Sequence, residues 1–420
     1  MENFFITGGP TMSKLKTLVI GLSTAFLLTS YSYANSTNDI VSMAEDIDPV
    51  ALVQLGNLYR DGNGVTKSYA KAVWYYTVAV NRLNAKGQYE LGNMYCKGLG
   101  VKRSYEKAFD LYTKSAAQGY LPALSSLGHM YLHGWGVEQS AAKAFDCFNK
   151  ASEQGDPGAQ NNLGDMFSFG IGVERSHKKA LELYQKSAEQ GFADGQANLG
   201  DSYMEGHGVK QSYKMGLEWI QKALNNGSSL AETLMGHYCE KGIGVEKSYP
   251  KALEWYKKAA SHGNGVAENN IGSMYQHGKG VEQSYTKAFE WYSKSAERGS
   301  STGENNLGTL YEFGNGVEQS YEKAVYWYRR SANQYNSSGL NNLGRMYDEG
   351  KGVKKSVSKA VELYEKAAKR GSAAGQYDLA LMYEKGIGVE KSPEKALYWY
   401  RIAAQNGYDR AQDKLAKLHG

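Results

Sequence analysis

Residues 91–119 read LGNMYCKGLGVKRSYEKAFDLYTKSAAQG, and the same pattern returns along nearly all of the chain at a fixed spacing of 36 residues. Leu55, Leu91, Leu127, Leu163, Leu199, Met235, Ile271, Leu307, Leu343 and Leu379 mark ten successive copies with no insertion between them. Leu415 opens an eleventh that stops halfway. A period in this range is the sequence signature of a solenoid built from stacked two-element repeats.

Each repeat reads as two helices. Ala123, Leu127, Gly128 and Tyr131 fall on one helical face, so the first half is a helix with a narrow, closely packing side. It ends at Gly-x-Gly-Val (Gly98, Gly100 and Val101 here), and all ten copies keep both glycines and the valine. A serine follows three residues after the valine in every copy, from Ser68 and Ser104 through Ser356 to Ser392, placed to accept from the free amides of a second helix. That helix carries Ala108, Tyr112 and Ala116 on one face and stops near Gly119.

A glycine inside the first helix, such as Gly92 or Gly272, should cost about 1 kcal/mol relative to alanine. The compensation expected is close approach of that helix to its neighbours, since the position five residues earlier is also always Ala or Gly. Tyrosines such as Tyr95 on the first helix and Tyr112 on the second would fill the wider parts of the seam.

These residues carry a resemblance. Ala267-x-x-x-Ile271-Gly272-x-Met274-Tyr275, then Gly278-x-Gly280-Val281, then Lys287-Ala288-x-x-Trp291-Tyr292-x-Lys294 and Gly299, resembles the Sel1-like repeat, a relative of the tetratricopeptide repeat. The match covers residues 47 to 418. It implies an all-α, right-handed α/α superhelix used as an adaptor or peptide-binding scaffold. One departure is the capping serine, where the family usually has Asp, a swap of equivalent capping chemistry.

Composition agrees with an array. The 420 residues hold 49 Gly and 33 Tyr but only 6 Pro, and the formal net charge is +5. Removing the N-terminal 34 residues takes away Lys14, Lys16 and Glu2 and leaves a charge of +4, too little for a nucleic-acid or membrane-surface footprint. The N-terminus is read as a signal peptide, residues 1–34, with Met12 an alternative start. Lys14 and Lys16 precede an apolar run from Leu18 to Leu28, and Ser32-Tyr33-Ala34 offers a cleavage site. That run is short of the about 20 residues a membrane span needs. Cleavage would leave Asn35 first, so a lipid-anchored cysteine is not indicated. A polar leader, 35–46, then leads to repeats over 47–407 and a capping helix over 408–420.

Three cysteines, Cys96, Cys147 and Cys239, are an odd number for an exported chain. Cys147 and Cys239 read as small buried hydrophobes at seam positions, and a Cys96–Cys147 bridge is the one pairing left open.

Chemistry is weighed against regularity. S-x-x-K, the nucleophile signature of serine β-lactamases and penicillin-binding proteins, occurs in nine of the ten repeats, Met215 breaking the tenth. A reaction centre occurs once, so nine copies in register point to a capping serine and a solvated first-turn lysine, and no catalytic residue is assigned. An envelope hydrolase or binder acting on β-lactam or peptidoglycan fragments is the alternative reading. Gly-x-Gly without a third glycine, joining helix to helix, is not a nucleotide loop. His129 and His133 lie one turn apart without a third ligand, so no metal and no cofactor are expected.

Two binding features remain. Asn162, Asn198, Asn270, Asn306 and Asn342 stand two residues before the helical glycine, often doubled by Asn161, Asn269, Asn305 and Asn341. Stacked copies would form an amide ladder able to hold an extended peptide, or to bond the next repeat and hold the stack. The second feature is the residue between the turn glycines, Leu99, Trp135 and Ile171 in three successive repeats, with Phe169 nearby. It reads as an apolar contact edge, or as side chains tucked under their own turns. The expected protein is therefore a periplasmic or secreted, monomeric, non-enzymatic scaffold for a protein or peptide partner, in envelope processes or host interaction.

Overall fold

The alternation of helix, Gly-x-Gly-Val turn and serine cap produces helix pairs along the whole of the part described by the computed structural model, residues 48–419. The signal segment and the leader lie outside the described residues. Two bodies are present, one ending at Arg175 and the other beginning at Ser176.

The N-terminal body contains α1 (Pro49–Asp61), α2 (Tyr69–Asn81), α3 (Ala85–Lys97), α4 (Tyr105–Ala117), α5 (Leu121–His133), α6 (Ala141–Glu153) and α7 (Pro157–Phe169). The C-terminal body opens with α8 (His177–Glu189), α9 (Ala193–Glu205), α10 (Tyr213–Asn225), α11 (Ser229–Lys241) and α12 (Tyr249–Ser261). It continues with α13 (Gly265–His277), α14 (Tyr285–Glu297), α15 (Ser301–Phe313), α16 (Tyr321–Asn333) and α17 (Ser337–Glu349). It closes with α18 (Val357–Lys369), α19 (Ala373–Lys385), α20 (Pro393–Gln405) and α21 (Asp409–His419). Odd-numbered helices are the first of each repeat and even-numbered helices the second. No strand occurs among the described residues.

Local chemistry sets the helix ends. Asp48 and Asp156 cap α1 and α7, accepting from Val50 N at 3.0 Å and Ala159 N at 2.6 Å. Each has a proline at the next position, where a missing amide is harmless. Gly98 ends α3 in the left-handed region. At Gly100, φ is +70° and a Cβ would lie 2.6 Å from the carbonyl carbon of Tyr69 in the preceding repeat, so glycine is required twice over. Serine caps the second helix in nine repeats, as in Ser104 Oγ accepting from Lys107 N at 3.3 Å. Ser356 is the exception. Its hydroxyl turns to Ser358 Oγ at 3.3 Å and makes no cap bond to α18, because a neighbouring hydroxyl competes with the backbone.

The helical glycines answer chiefly to one partner, the aromatic of the second helix in the same repeat. A Cβ on Gly92 would sit 2.6 Å from Tyr112, and one on Gly272 would sit 2.7 Å from Tyr292. The small residue five positions earlier instead meets the preceding repeat, as Gly87 does Ala79. Small against large interlocks both interfaces. The seam tyrosines of the second helices, such as Tyr76, Tyr112, Tyr184, Tyr256 and Tyr292, are buried, whereas on the first helices Tyr59 is buried and Tyr95, Tyr131, Tyr203 and Tyr275 are half-buried. Hydroxyls of buried rings find acceptors: Tyr112 Oη donates to Asn93 at 2.7 Å and Tyr400 Oη to Glu384 at 2.7 Å.

Irregular copies keep the same volume by other means. In the fifth repeat Ile220 replaces the aromatic against Gly200, and Met204 fills the space beside Gly216. At the C-terminal end, Leu415 of α21 packs on the cluster of Ala380, Ala396 and Tyr400, while Lys414 pairs with Glu384 at 2.8 Å. All three cysteines are free thiols. Cys239 is buried, but Cys147 is only half-buried, because its position looks out beside the seam occupied by Phe148.

Candidate protein-binding face

The asparagine register lies on the first helices, two residues ahead of the packing glycine, and Asn162, Asn306 and Asn342 reach the first helix of the preceding repeat. In the C-terminal body the amides bond in sequence. Asn306 Nδ2 donates to Asn269 Oδ1 and Asn342 Nδ2 to Asn305 Oδ1, both at 2.9 Å. Within a pair, Asn269 donates to Asn270 Oδ1 and Asn305 to Asn306 Oδ1, both at 3.3 Å. Asn269, Asn305 and Asn341 are buried, and Asn270, Asn306 and Asn342 half-buried. The register is thus an interlock between repeats with one partly open flank. Asn198 is half-buried in the same register.

In the N-terminal body, Asn162 Nδ2 lies 3.1 Å from His129 Nε2. An amide nitrogen has only hydrogens to give, so His129 accepts and is neutral, the state that burial favours by bringing its pKa down to about 4, with His133 adding to the effect. His129 and His133 stack with ring centroids 6.4 Å apart, and no group of three or more His, Cys, Asp or Glu able to hold a metal ion occurs among the described residues.

The turn edge separates its three predicted members. Leu99 packs onto the core of the first repeats and is half-buried, as is Ile171. Trp135 is 37% exposed and sandwiched, its ring 5.5 Å from Tyr105 and 4.6 Å from His133. Phe169, at the end of α7, is 71% exposed.

Two features escape a reading repeat by repeat. The lysine of S-x-x-K is not simply solvated. Lys71, Lys107, Lys143, Lys287, Lys323, Lys359 and Lys395 each lie over the ring of the first-helix tyrosine, as Lys107 does over Tyr95 at 5.1 Å from the centroid. With the serine hydroxyl accepting from the helix backbone and the ammonium on an aromatic face, the pair is structural. The second feature is a row of buried glutamates, Glu232, Glu268 and Glu304, one residue after the small residue of the first helix in three successive repeats. A charge within an otherwise apolar helical stripe is the signal that marks them. Nor are the thiols activated: burial raises Cys96 and Cys239 and pushes Cys147 up to about 11.

Comparison with known proteins accords with this architecture. None of the curated proteins searched matches the chain. Among solved structures, a protective antigen of uropathogenic Escherichia coli with an SLR fold is 30% identical over 90% of this chain and 91% of its own, with a TM-score of 0.43. A Sel1 repeat protein of Oxalobacter formigenes is 32% identical over 59% of this chain and 99% of its own, also at 0.43. Cysteine rich protein B of Helicobacter pylori is 29% identical over 29% of this chain and 93% of its own, at 0.25. The profile of the Sel1 repeat matches ten times, at residues 49–82, 85–120, 121–156, 157–192, 193–228, 229–264, 265–300, 301–336, 337–372 and 373–408. With copy after copy matched from the first helix to the last full pair, the chain belongs to the Sel1 repeat family.

Proposed function

We propose that this protein is an exported adaptor that binds another protein or an extended peptide, using the turn edge around Trp135 and Phe169 or the open flank of the asparagine register. Sel1 repeats generally form non-catalytic scaffolds that mediate protein interactions. The observation that carries the choice of surface is Phe169, a large apolar side chain held 71% exposed on the same edge as the stacked Trp135. Leaving such rings in water forgoes about 25 cal/mol per Å² of apolar surface, a loss that a partner's contact would recover. No helix among the described residues is long and apolar enough to cross a membrane. Export rests on Lys14, Lys16, the apolar run and Ser32-Tyr33-Ala34, and it would bring the scaffold to the envelope or to a host surface.

A photo-crosslinking residue placed at the exposed Glu174, in the turn that follows Phe169, tests the surface, with the same probe in a Trp135→Ala/Phe169→Ala background as its control in capture of partners from envelope extracts. The proposal expects a discrete crosslinked partner whose recovery falls at least about tenfold in the double variant, the loss of two apolar anchors. Equal recovery from both proteins would remove the turn edge from consideration. The mature N-terminus, read by mass spectrometry, should be Asn35; a cytosolic chain with an intact start would refute export.

A further inference from the structure

Glu232, Glu268 and Glu304 hold one register in three successive repeats, yet their carboxylates are met differently. Glu232 Oε1 lies 3.2 Å from Lys258 Nζ, and its Oε2 lies 3.0 Å from His262 Nδ1. Glu304 Oε1 lies 2.8 Å from Arg330 Nη2, an ion pair outside hydrogen-bond alignment, and its Oε2 accepts from Gln334 Nε2 at 2.9 Å. Among the described residues, the one ion-pair partner of Glu268 is Arg298 Nε, at 3.8 Å from Oε1. Its Oε2 has no hydrogen-bond partner, although the residue is 3% exposed.

The cations that the register offers Glu268 stand further from it. Lys294, the counterpart of Lys258 and Arg330, lies over the Trp291 ring at 4.3 Å from its centroid and forms no ion pair with Glu268, whereas Lys258 and Arg330 pair with their glutamates while lying over Trp255 and Trp327. The Arg298 guanidinium packs over Gly263, whose absent side chain would lie 3.3 Å from Arg298 Cζ. Both therefore stay in the wall of a surface cavity of about 740 Å³ that Glu268 also lines, with Lys257, Ala260 and Trp291 completing the part that matters here. Its size is that of a small-ligand site.

The charges of that cavity select among ligands. A bare cation would meet Lys257, Lys294 and Arg298, and a bare anion would meet Glu268 and Glu297, so neither sign alone is matched. A molecule carrying both an ammonium and a carboxylate is matched twice, and its apolar part has the Trp291 ring and Ala260 to cover it. We propose that this cavity binds the zwitterionic head of an α-amino acid, with the ammonium on the Glu268 carboxylate, the carboxylate among Lys257, Lys294 and Arg298, and the side chain on Trp291. Burial raises the Glu268 pKa, outweighing the opposing charges of Arg298 and Lys294. The inference stands apart from the protein-binding surface and does not depend on it.

Isothermal titration of the full chain tests it, with leucine, phenylalanine, lysine and glutamate as the panel. Leucine amide, N-acetyl-leucine and the dipeptide Leu-Leu serve as controls. At least one panel member should bind with a Kd of about 1 mM or tighter. Removing either charge, as in leucine amide or N-acetyl-leucine, should weaken binding relative to leucine at least about tenfold. Glu268→Gln should do the same, while Glu232→Gln, whose carboxylate is already paired, should leave binding unchanged, with helical content by circular dichroism intact in both. The proposal is overturned by no binding from any panel member, by equal binding of leucine and N-acetyl-leucine, or by wild-type binding in Glu268→Gln. Binding of Leu-Leu without any free amino acid would assign the cavity to a peptide and overturn the single-residue ligand.

Discussion

Asn341 and Asp378 repeat a contact that Asn305 and Asn342 make one copy earlier, with the donor removed. Asn342 gives an N–H to Asn305 Oδ1 at 2.9 Å, whereas Asp378, in the register of Asn342, has none to give when ionised, and Asn341 Oδ1 is buried without a partner.

Asp378→Asn should therefore stabilise the protein. Burial raises the Asp378 pKa from 3.8 to about 6 and Asp348 adds to it, against the lowering effects of Asn341, Arg345 and Arg410. The folded state thus holds this proton more tightly than the unfolded chain, so the wild type loses stability as pH rises from about 4 to about 6. Denaturation of the two proteins should give nearly equal stability at the acid end of this window. A gap should open across it to at most about 3 kcal/mol above it. A gap independent of pH would contradict the assignment.

Arg345 closes a different inter-repeat contact. Its guanidinium reaches Glu312 with two bonds, at 2.6 and 2.7 Å, and Tyr328 Oη donates to the same carboxylate at 2.7 Å. Glu312 is buried, so Arg345→Ala leaves an uncompensated charge and should cost about 3 kcal/mol or more. Arg345→Lys should fall between, since an ammonium cannot match the fork. Urea denaturation ranks the three proteins.

The serine caps can be compared internally. Ser320→Ala removes a hydroxyl that accepts from Lys323 N at 3.2 Å and should cost about 1 kcal/mol. Ser356→Ala removes one that makes no cap bond and should cost less. Neither change should affect partner capture, because these serines face helix backbone. Loss of function from one serine alone would revive the envelope-hydrolase reading.

Met215 occupies the place where other repeats set a lysine over a tyrosine, and Tyr203 is present there. Met215→Lys should restore the contact and raise stability by about 0.5 kcal/mol, with a small rise in melting temperature.

Much of the fold is legible in the sequence because the features that specify it recur in phase. Gly92 and Tyr112, or Ser104 and Gly100, are local or spaced by a fixed number of residues, so periodicity alone exposes them. The Lys107–Tyr95 contact has the same regularity, yet it joins two helices across a turn, and a reading of each helix by itself treats the lysine as solvated. The glutamate row was hidden for another reason. Glu232, Glu268 and Glu304 look alike as letters, and only the distances to their cations, 3.0 and 3.2 Å for Glu232 and 2.8 Å for Glu304 against 3.8 Å for Glu268, separate the open carboxylate from the paired ones. The asparagines were visible as a ladder, but whether they bond one another or a ligand depends on spacing between stacked helices, which no single repeat encodes. Residues such as Leu99 and Trp135 share a register and differ in exposure because their neighbours differ, Trp135 alone having Tyr105 and His133 to stack on.

Stacking of equivalent helix pairs through a glycine against an aromatic ring is the central claim, and hydrogen exchange on Gly272→Ala tests it most directly. The added methyl would lie 2.7 Å from the Tyr292 ring, an overpacking expected to cost about 1–3 kcal/mol. In a chain stabilised by nearest-neighbour contacts, faster exchange should be confined to α13 and α14 and the helices packed on them, α12 and α15, with α17 to α20 as protected as in the wild type. Unchanged protection at α13 and α14, or an equal loss across every repeat, would contradict it.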